Sequence, residues 1–216
     1  MLLTSCKDKT NAPVPSTEPS SPATQEAVTE PKSDKAVLLF YGNSLTAGYG
    51  LEEQESFPSL IQDRIDSLGL GYQVVNAGLS GETTSGGLQR LDWVLRQPVD
   101  LFALELGAND MLRGLPLEQT RANLASIIDG VRAKYPAATI LLLEMLAAPN
   151  MGADYQRDFK QIYTDLASEK EVQLVPFFLE GVAGNPDLLL PDGKHPNADG
   201  QEIVAENLWG YLQPIL

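Results

Sequence analysis

From Val37 onward, short apolar runs alternate with longer stretches in which apolar residues recur every three to four positions. The runs at Val37–Tyr41, Gln73–Val75, Leu101–Leu106, Thr139–Leu146 and Gln173–Pro176 predict five strands. Most are continuously apolar, the pattern of strands covered on both faces. Between them, Phe57–Leu68, Leu88–Leu95, Leu117–Tyr135 and Asp154–Ser168 have helical spacing, and Asn197–Leu212 closes the chain. In the third of these, Leu117, Leu124, Ile127, Ile128 and Val131 fall on one face while Glu118, Arg121, Asp129 and Arg132 fall elsewhere, so the stripe is core. Gly69 and Gly71 end the first helix, and Pro98 and Pro136 mark the exits of the next two. Alternating strands and helices predict an α/β domain of three layers, a five-stranded parallel sheet between two layers of helices. No internal repeat is visible, and every apolar run is too short to span a membrane.

The pattern divides the chain. Residues 36–216 form the predicted domain, and residues 7–35 contain five prolines and eight serines or threonines with no aromatic, leucine or isoleucine. Such a segment buries too little to offset its ordering entropy, so a disordered tether is expected. Before it, Met1-Leu2-Leu3-Thr4-Ser5-Cys6 resembles the end of a bacterial lipoprotein signal, although the basic start and long apolar core of a signal peptide are missing. On that reading residues 1–6 are a signal remnant, Cys6 carries lipid, and the protein is attached to a membrane in the periplasm or cell envelope. An unprocessed N-terminus leaves it soluble.

Composition narrows the chemistry. The chain has 216 residues, 43% of them hydrophobic, enough for one full core. A formal net charge of −14 makes nucleic acid an improbable partner, because little would neutralise its phosphates. One cysteine permits no intramolecular disulfide, and one histidine, His195, excludes the usual zinc sets. Neither a metal nor a cofactor is expected.

Four polar segments lie just past predicted strands or in a late loop. They are Gly42-Asn43-Ser44-Leu45, Asn76-Ala77-Gly78-Leu79-Ser80-Gly81-Glu82, Gly107-Ala108-Asn109-Asp110 and Asp192-Gly193-Lys194-His195-Pro196. In a parallel sheet the strand exits share one edge, so distant segments converge there. Ser44, in a turn between strand and helix, is the candidate nucleophile; a phosphate- or nucleotide-binding turn and a plain connection are the alternatives. Gly78 and Gly81 could merely shape a turn, Asn109-Asp110 could cap a helix, and Asp192-Gly193 has the composition of a surface turn. A serine nucleophile needs a base near neutral pH, and His195 is the one imidazole available. Asp192, three residues earlier, can reach its other ring nitrogen.

These segments occur in the order and approximate spacing of the four sequence blocks of the SGNH (GDSL) hydrolases, which the chain resembles from about Val37 to its end. Val74-Val75-Asn76-Ala77, Ser80-Gly81-Glu82-Thr83, Leu104-Glu105-Leu106-Gly107, Leu112-Arg113-Gly114 and Pro176-Phe177-Phe178 extend the similarity. More narrowly, the domain resembles the periplasmic thioesterase I, lysophospholipase and arylesterase group. The resemblance implies a flavodoxin-like SGNH hydrolase fold, with Ser44 as nucleophile, His195 as general base and then acid, and Asp192 orienting it. It also implies an oxyanion hole made by the backbone N–H groups of Ser44 and Gly81 and the side-chain amide of Asn109.

The implied activity is a serine esterase acting on small to medium acyl esters, arylesterase in type, with thioesters and lysophospholipids within reach. A carbohydrate acetylesterase is the enzymatic alternative, and an inactive flavodoxin-like binding module is the alternative of another class. Asn43, Met111, Leu112, Leu146 and Pro149 are candidate substrate-binding residues. One departure stands out: the family's first block usually reads Gly-Asp-Ser, whereas Asn43 here keeps an acceptor but carries no charge. The turn is expected to survive with altered hydrogen bonding.

Overall fold

The computed structural model describes residues 35–216. Cys6, the signal remnant and residues 7–34 of the expected tether lie outside the described residues. Five strands, β1 (Ala36–Gly42), β2 (Tyr72–Gly78), β3 (Leu101–Glu105), β4 (Thr139–Leu143) and β5 (Gln173–Val175), form one parallel sheet in the order β2-β1-β3-β4-β5. Seven helices accompany them among the described residues: α1 (Ser44–Ala47), α2 (Phe57–Ser67), α3 (Thr84–Val94), α4 (Ala108–Leu112), α5 (Leu117–Lys134), α6 (Ala153–Glu169) and α7 (Ala198–Leu212). Helices α2 and α7 pack together, while α5 packs between α3 and α6. This is the three-layer α/β/α arrangement expected from the sequence.

Strand β1, inside the sheet between β2 and β3, shows why the pattern was readable. Leu38, Leu39, Phe40 and Tyr41 are at most 1% exposed, and full burial of each such side chain is worth about 1.5–3 kcal/mol. In α5 the predicted stripe is the buried face, with Leu124, Ile127, Ile128 and Val131 inside and Glu118 and Asp129 exposed. The chain runs from β1 outward to β2 and then returns to β3 on the other side of β1. That reversal opens a crevice beyond the carboxyl ends of β1 and β3, where ligands of open α/β sheets bind.

Boundaries depart from the sequence reading where polar groups are satisfied by tertiary contacts. Strand β2 extends through Asn76, whose side-chain amide donates to the Thr46 carbonyl at 2.9 Å. Helix α3 begins four residues before Leu88, because Thr83 and Asp110 both accept from its first turn; the Gly86-Gly87 pair hides that start from propensity. Strand β4 ends at Leu143, which leaves Leu146 in the following loop. Helices α1 and α4 span four and five residues, too short to show a period.

Candidate active site

Ser44 is the first residue of α1, directly after β1. A helix's first N–H groups have no intrahelical partner, so that of Ser44 is available at the sheet edge. Gly42 permits the turn: a Cβ there would strike the Thr46 hydroxyl and the Glu105 carboxylate. Ser44 is 8% exposed, and its Oγ lies 2.8 Å from His195 Nε2.

His195 comes from the loop before α7. A bridge between Leu189 and Pro196, the Leu190 N–H donating to the His195 carbonyl at 2.7 Å, and Asn197 capping α7 hold that loop in place. Gly193, at φ 68, makes the tight reversal within it. His195 Nδ1 is 2.5 Å from Asp192 Oδ2, and Asp192 Oδ1 accepts the backbone N–H groups of Lys194 at 2.9 Å and His195 at 3.1 Å. Partial burial opposes the charge on Asp192, but donation from the His195 ring and those two amides outweighs it and pulls the carboxyl down to about 2. Ionised Asp192 can only accept, so Nδ1 carries the proton and Nε2 is left to accept from Ser44.

Opposite His195 lie the loop after β2 and the start of α4. Gly81, at φ 80, accepts from the Arg113 guanidinium at 2.6 Å. Asn109 Nδ2 donates one hydrogen to the Glu82 carbonyl at 3.0 Å, which orients the amide and leaves its second hydrogen. Arg90 supports this side from below: it forks onto Glu82, donates to the Ala77 carbonyl at 2.7 Å, and stacks 4.2 Å above the Tyr41 ring. Buried Asp110 accepts the Thr84 N–H at 2.8 Å, joining the start of α3 to α4.

Ser44, Gly81, Asn109 and His195 all border one cleft of about 510 Å³, with Asp192 immediately behind His195. Met111, Leu112, Leu146 and Pro149 line it, so the four apolar candidates are brought together. Asn43 also borders the cleft, but its side chain is 1% exposed and committed at both ends: Oδ1 accepts the Leu45 N–H at 2.9 Å and Nδ2 donates to Glu105 at 2.6 Å. Nδ2, a donor that an aspartate would lack, is the group that makes this bond to Glu105. Among the described residues no cluster of three His, Cys, Asp or Glu side chains is arranged to hold a metal ion.

The sequence reading assigned no site role to Tyr49 or Glu105. Tyr49 stands against His195 with ring centroids 4.6 Å apart, a contact that no local pattern signals. Glu105 did leave a trace, as the one charged residue in the apolar run Leu101–Leu106. Such a residue in a strand buried on both faces needs dedicated partners.

Known proteins resemble this chain in sequence and in fold. A sequence model of the GDSL-like lipase/acylhydrolase family matches residues 40–203. Esterase TesA of Pseudomonas aeruginosa is 41% identical over 180 residues, covering 83% of this chain and 89% of its own. Thioesterase 1/protease 1/lysophospholipase L1 of Escherichia coli K12 is 39% identical over 180 residues, covering 83% of this chain and 84% of its own. The crystal structure of AlinE4, an SGNH-hydrolase family esterase, is 41% identical with a TM-score of 0.70, covering 86% of this chain and 100% of its own. The chain therefore belongs to the GDSL-like lipase/acylhydrolase family, whose blocks its four polar segments resemble.

Proposed function

We propose that this ester hydrolase works through an acyl-enzyme on Ser44, with His195 as proton shuttle and Asp192 as its orienting partner, on small to medium acyl esters. The observation that carries the reading is the chain Ser44 Oγ, His195 Nε2, His195 Nδ1, Asp192 Oδ2, with links of 2.8 and 2.5 Å, at the mouth of an apolar cleft. Ser44 Oγ attacks the carbonyl carbon and its proton passes to His195 Nε2. The negative oxygen of the tetrahedral intermediate is held by the N–H groups of Ser44 and Gly81 and the amide of Asn109. Collapse breaks the bond to the leaving alcohol or thiol, which takes the proton from His195. Water, deprotonated by the same nitrogen, then releases the acid and restores Ser44.

The cleft favours the acyl side over a sugar. Met111, Leu112, Leu146, Phe177 and Leu179 offer apolar surface to a hydrocarbon chain, and the small volume suits short and medium lengths better than long ones. Aryl esters, thioesters and lysophospholipids share the reacting carbonyl and remain within the proposal. The test is hydrolysis of p-nitrophenyl esters from acetyl to palmitoyl, alongside acyl-CoA, lysophospholipid and acetylated xylan, with Ser44→Ala as the blank. Turnover falling off at long chains supports the reading; turnover confined to acetylated xylan points to the carbohydrate acetylesterase, and none beyond the blank to a binding module.

Attachment to the cell envelope through lipidated Cys6 and a tether over residues 7–35 completes the proposal, with the sequence of residues 1–35 as its support. Among the described residues no helix is long and apolar enough to cross a membrane. Full-length protein is expected to partition with membranes and its Cys6→Ala form to remain in the supernatant; equal partitioning of the two would refute the anchor.

A further inference from the structure

Glu105 closes strand β3 with no accessible surface, and each protein donor it receives comes from the β1–α1 turn. The Asn43 N–H donates to Oε2 at 3.1 Å, the Thr46 hydroxyl to the same oxygen at 2.8 Å, and Asn43 Nδ2 to Oε1 at 2.6 Å. The orientation of the Asn43 amide is fixed by its other end. Oδ1 accepts the Leu45 N–H, a group that can only donate, so Nδ2 must face Glu105. Three donors converging on one carboxyl define a binding site for the ionised form. Ser44 sits in the chain between the two donor residues, Asn43 and Thr46, with Oγ 3.4 Å from Asn43 Oδ1.

We propose that Glu105 is a positioning residue for the nucleophile: its carboxylate, acting through Asn43 and Thr46, fixes the turn that aims Ser44 at His195, and the amide at position 43 lets it do so while ionised. The inference rests on the reading of Ser44 as nucleophile. Misplacement of an attacking atom by about an ångström costs on the order of a hundredfold in rate, so a clamp on this turn acts on turnover.

Two influences act on the Glu105 proton. Burial pushes the carboxyl up, donation from Asn43 and Thr46 pulls it back, and the balance lies at about 7. From the helix layer, the titratable group that faces it is Tyr163 of α6, whose hydroxyl donates to the Leu106 carbonyl at 2.9 Å and is pushed well above its ordinary range first by burial and then by the Glu105 charge. Tyr163 therefore stays neutral while Glu105 titrates. Ionisation of Glu105 completes the clamp in the neutral range.

Three variants give distinct signatures in kcat, KM and pH profile with p-nitrophenyl butyrate. In Glu105→Gln an amide nitrogen faces Asn43 Nδ2, donor against donor, so kcat should fall by about ten- to a hundredfold with a smaller change in KM. In Asn43→Asp two carboxyls face each other and must share a proton. That variant should turn over while the pair keeps its proton and lose turnover at alkaline pH, where wild type does not. The double variant Asn43→Asp/Glu105→Gln reverses the polarity of the bond, with residue 105 donating and residue 43 accepting, and should recover most of the lost kcat without the alkaline loss.

Wild-type kcat for Glu105→Gln at every pH overturns the proposal. So does a double variant that neither folds nor turns over better than Glu105→Gln, or an Asn43→Asp profile that superimposes on wild type. Failure of the underlying nucleophile assignment gives a different result, wild-type turnover by Ser44→Ala.

Discussion

Ser44 Oγ and His195 Nε2 stand 2.8 Å apart although 151 positions separate them in the chain. The serine directly follows β1, an interior strand of the sheet, and the histidine lies in a loop pinned to the start of the last helix, so the distance between them depends on where α7 is held. Helix α7 is tied to α2 by the Phe57 N–H, which donates to Gln201 Oε1 at 3.0 Å, and by the Arg64–Glu206 ion pair.

Removing His195 or its partner Asp192 should separate chemistry from binding. His195→Ala is predicted to lose nearly all hydrolysis, and Asp192→Ala to lose less but still on the order of a hundredfold in kcat, with KM little changed in both. Because the Asp192 carboxyl lies at about 2, below its ordinary 3.8, the orienting contact it gives persists as pH falls and is lost only toward that value. Steady-state kinetics of the two variants check this. Near-normal turnover by His195→Ala would remove it from the mechanism.

The proposed oxyanion role requires Asn109 to act on the transition state alone. Its amide is held by the Glu82 carbonyl at 3.0 Å, with one hydrogen left toward the cleft. Asn109→Ala should lower kcat by about 10²–10³-fold at constant KM, the usual loss for one oxyanion donor. A variant that raises KM while sparing kcat would mark Asn109 as a ground-state binding residue.

Much of this was legible beforehand, and the reasons are local. The apolar runs of β1 and β3 and the stripe of α5 carry their own burial pattern, and Asp192 and His195 sit in one turn whose geometry a few residues decide. What was not legible depends on partners far along the chain. Thr84 starts a helix because Asp110 accepts from it, and Tyr49 meets His195 through tertiary folding alone. Asn43 was visible as a departure from the family's first block, but its hydrogen-bond partner was not, because Glu105 is 62 positions away.

Glu105 should also leave a mark on stability, opposite in sign to its proposed effect on rate. Its carboxyl is raised from an ordinary 4.5 to about 7, so between those values the unfolded chain has released a proton that the folded protein keeps. Stability must then fall as pH rises through that window, by up to about 1.4 kcal/mol per pH unit for one full proton. Glu105→Gln lacks this proton. Denaturant midpoints of both proteins, measured through the window, should show the advantage of wild type over Glu105→Gln shrinking as pH rises; an advantage that stays constant or grows contradicts the assignment.

The most direct test of the account is covalent labelling by a fluorophosphonate, which reacts with a serine only when a base and an oxyanion hole activate it. Wild type should be labelled at a single site, mapped by mass spectrometry to Ser44, and Ser44→Ala should remain unlabelled at the same concentration while keeping its fold. Equal labelling of both proteins, or labelling of neither, would contradict the claim that Ser44 is the nucleophile of this hydrolase.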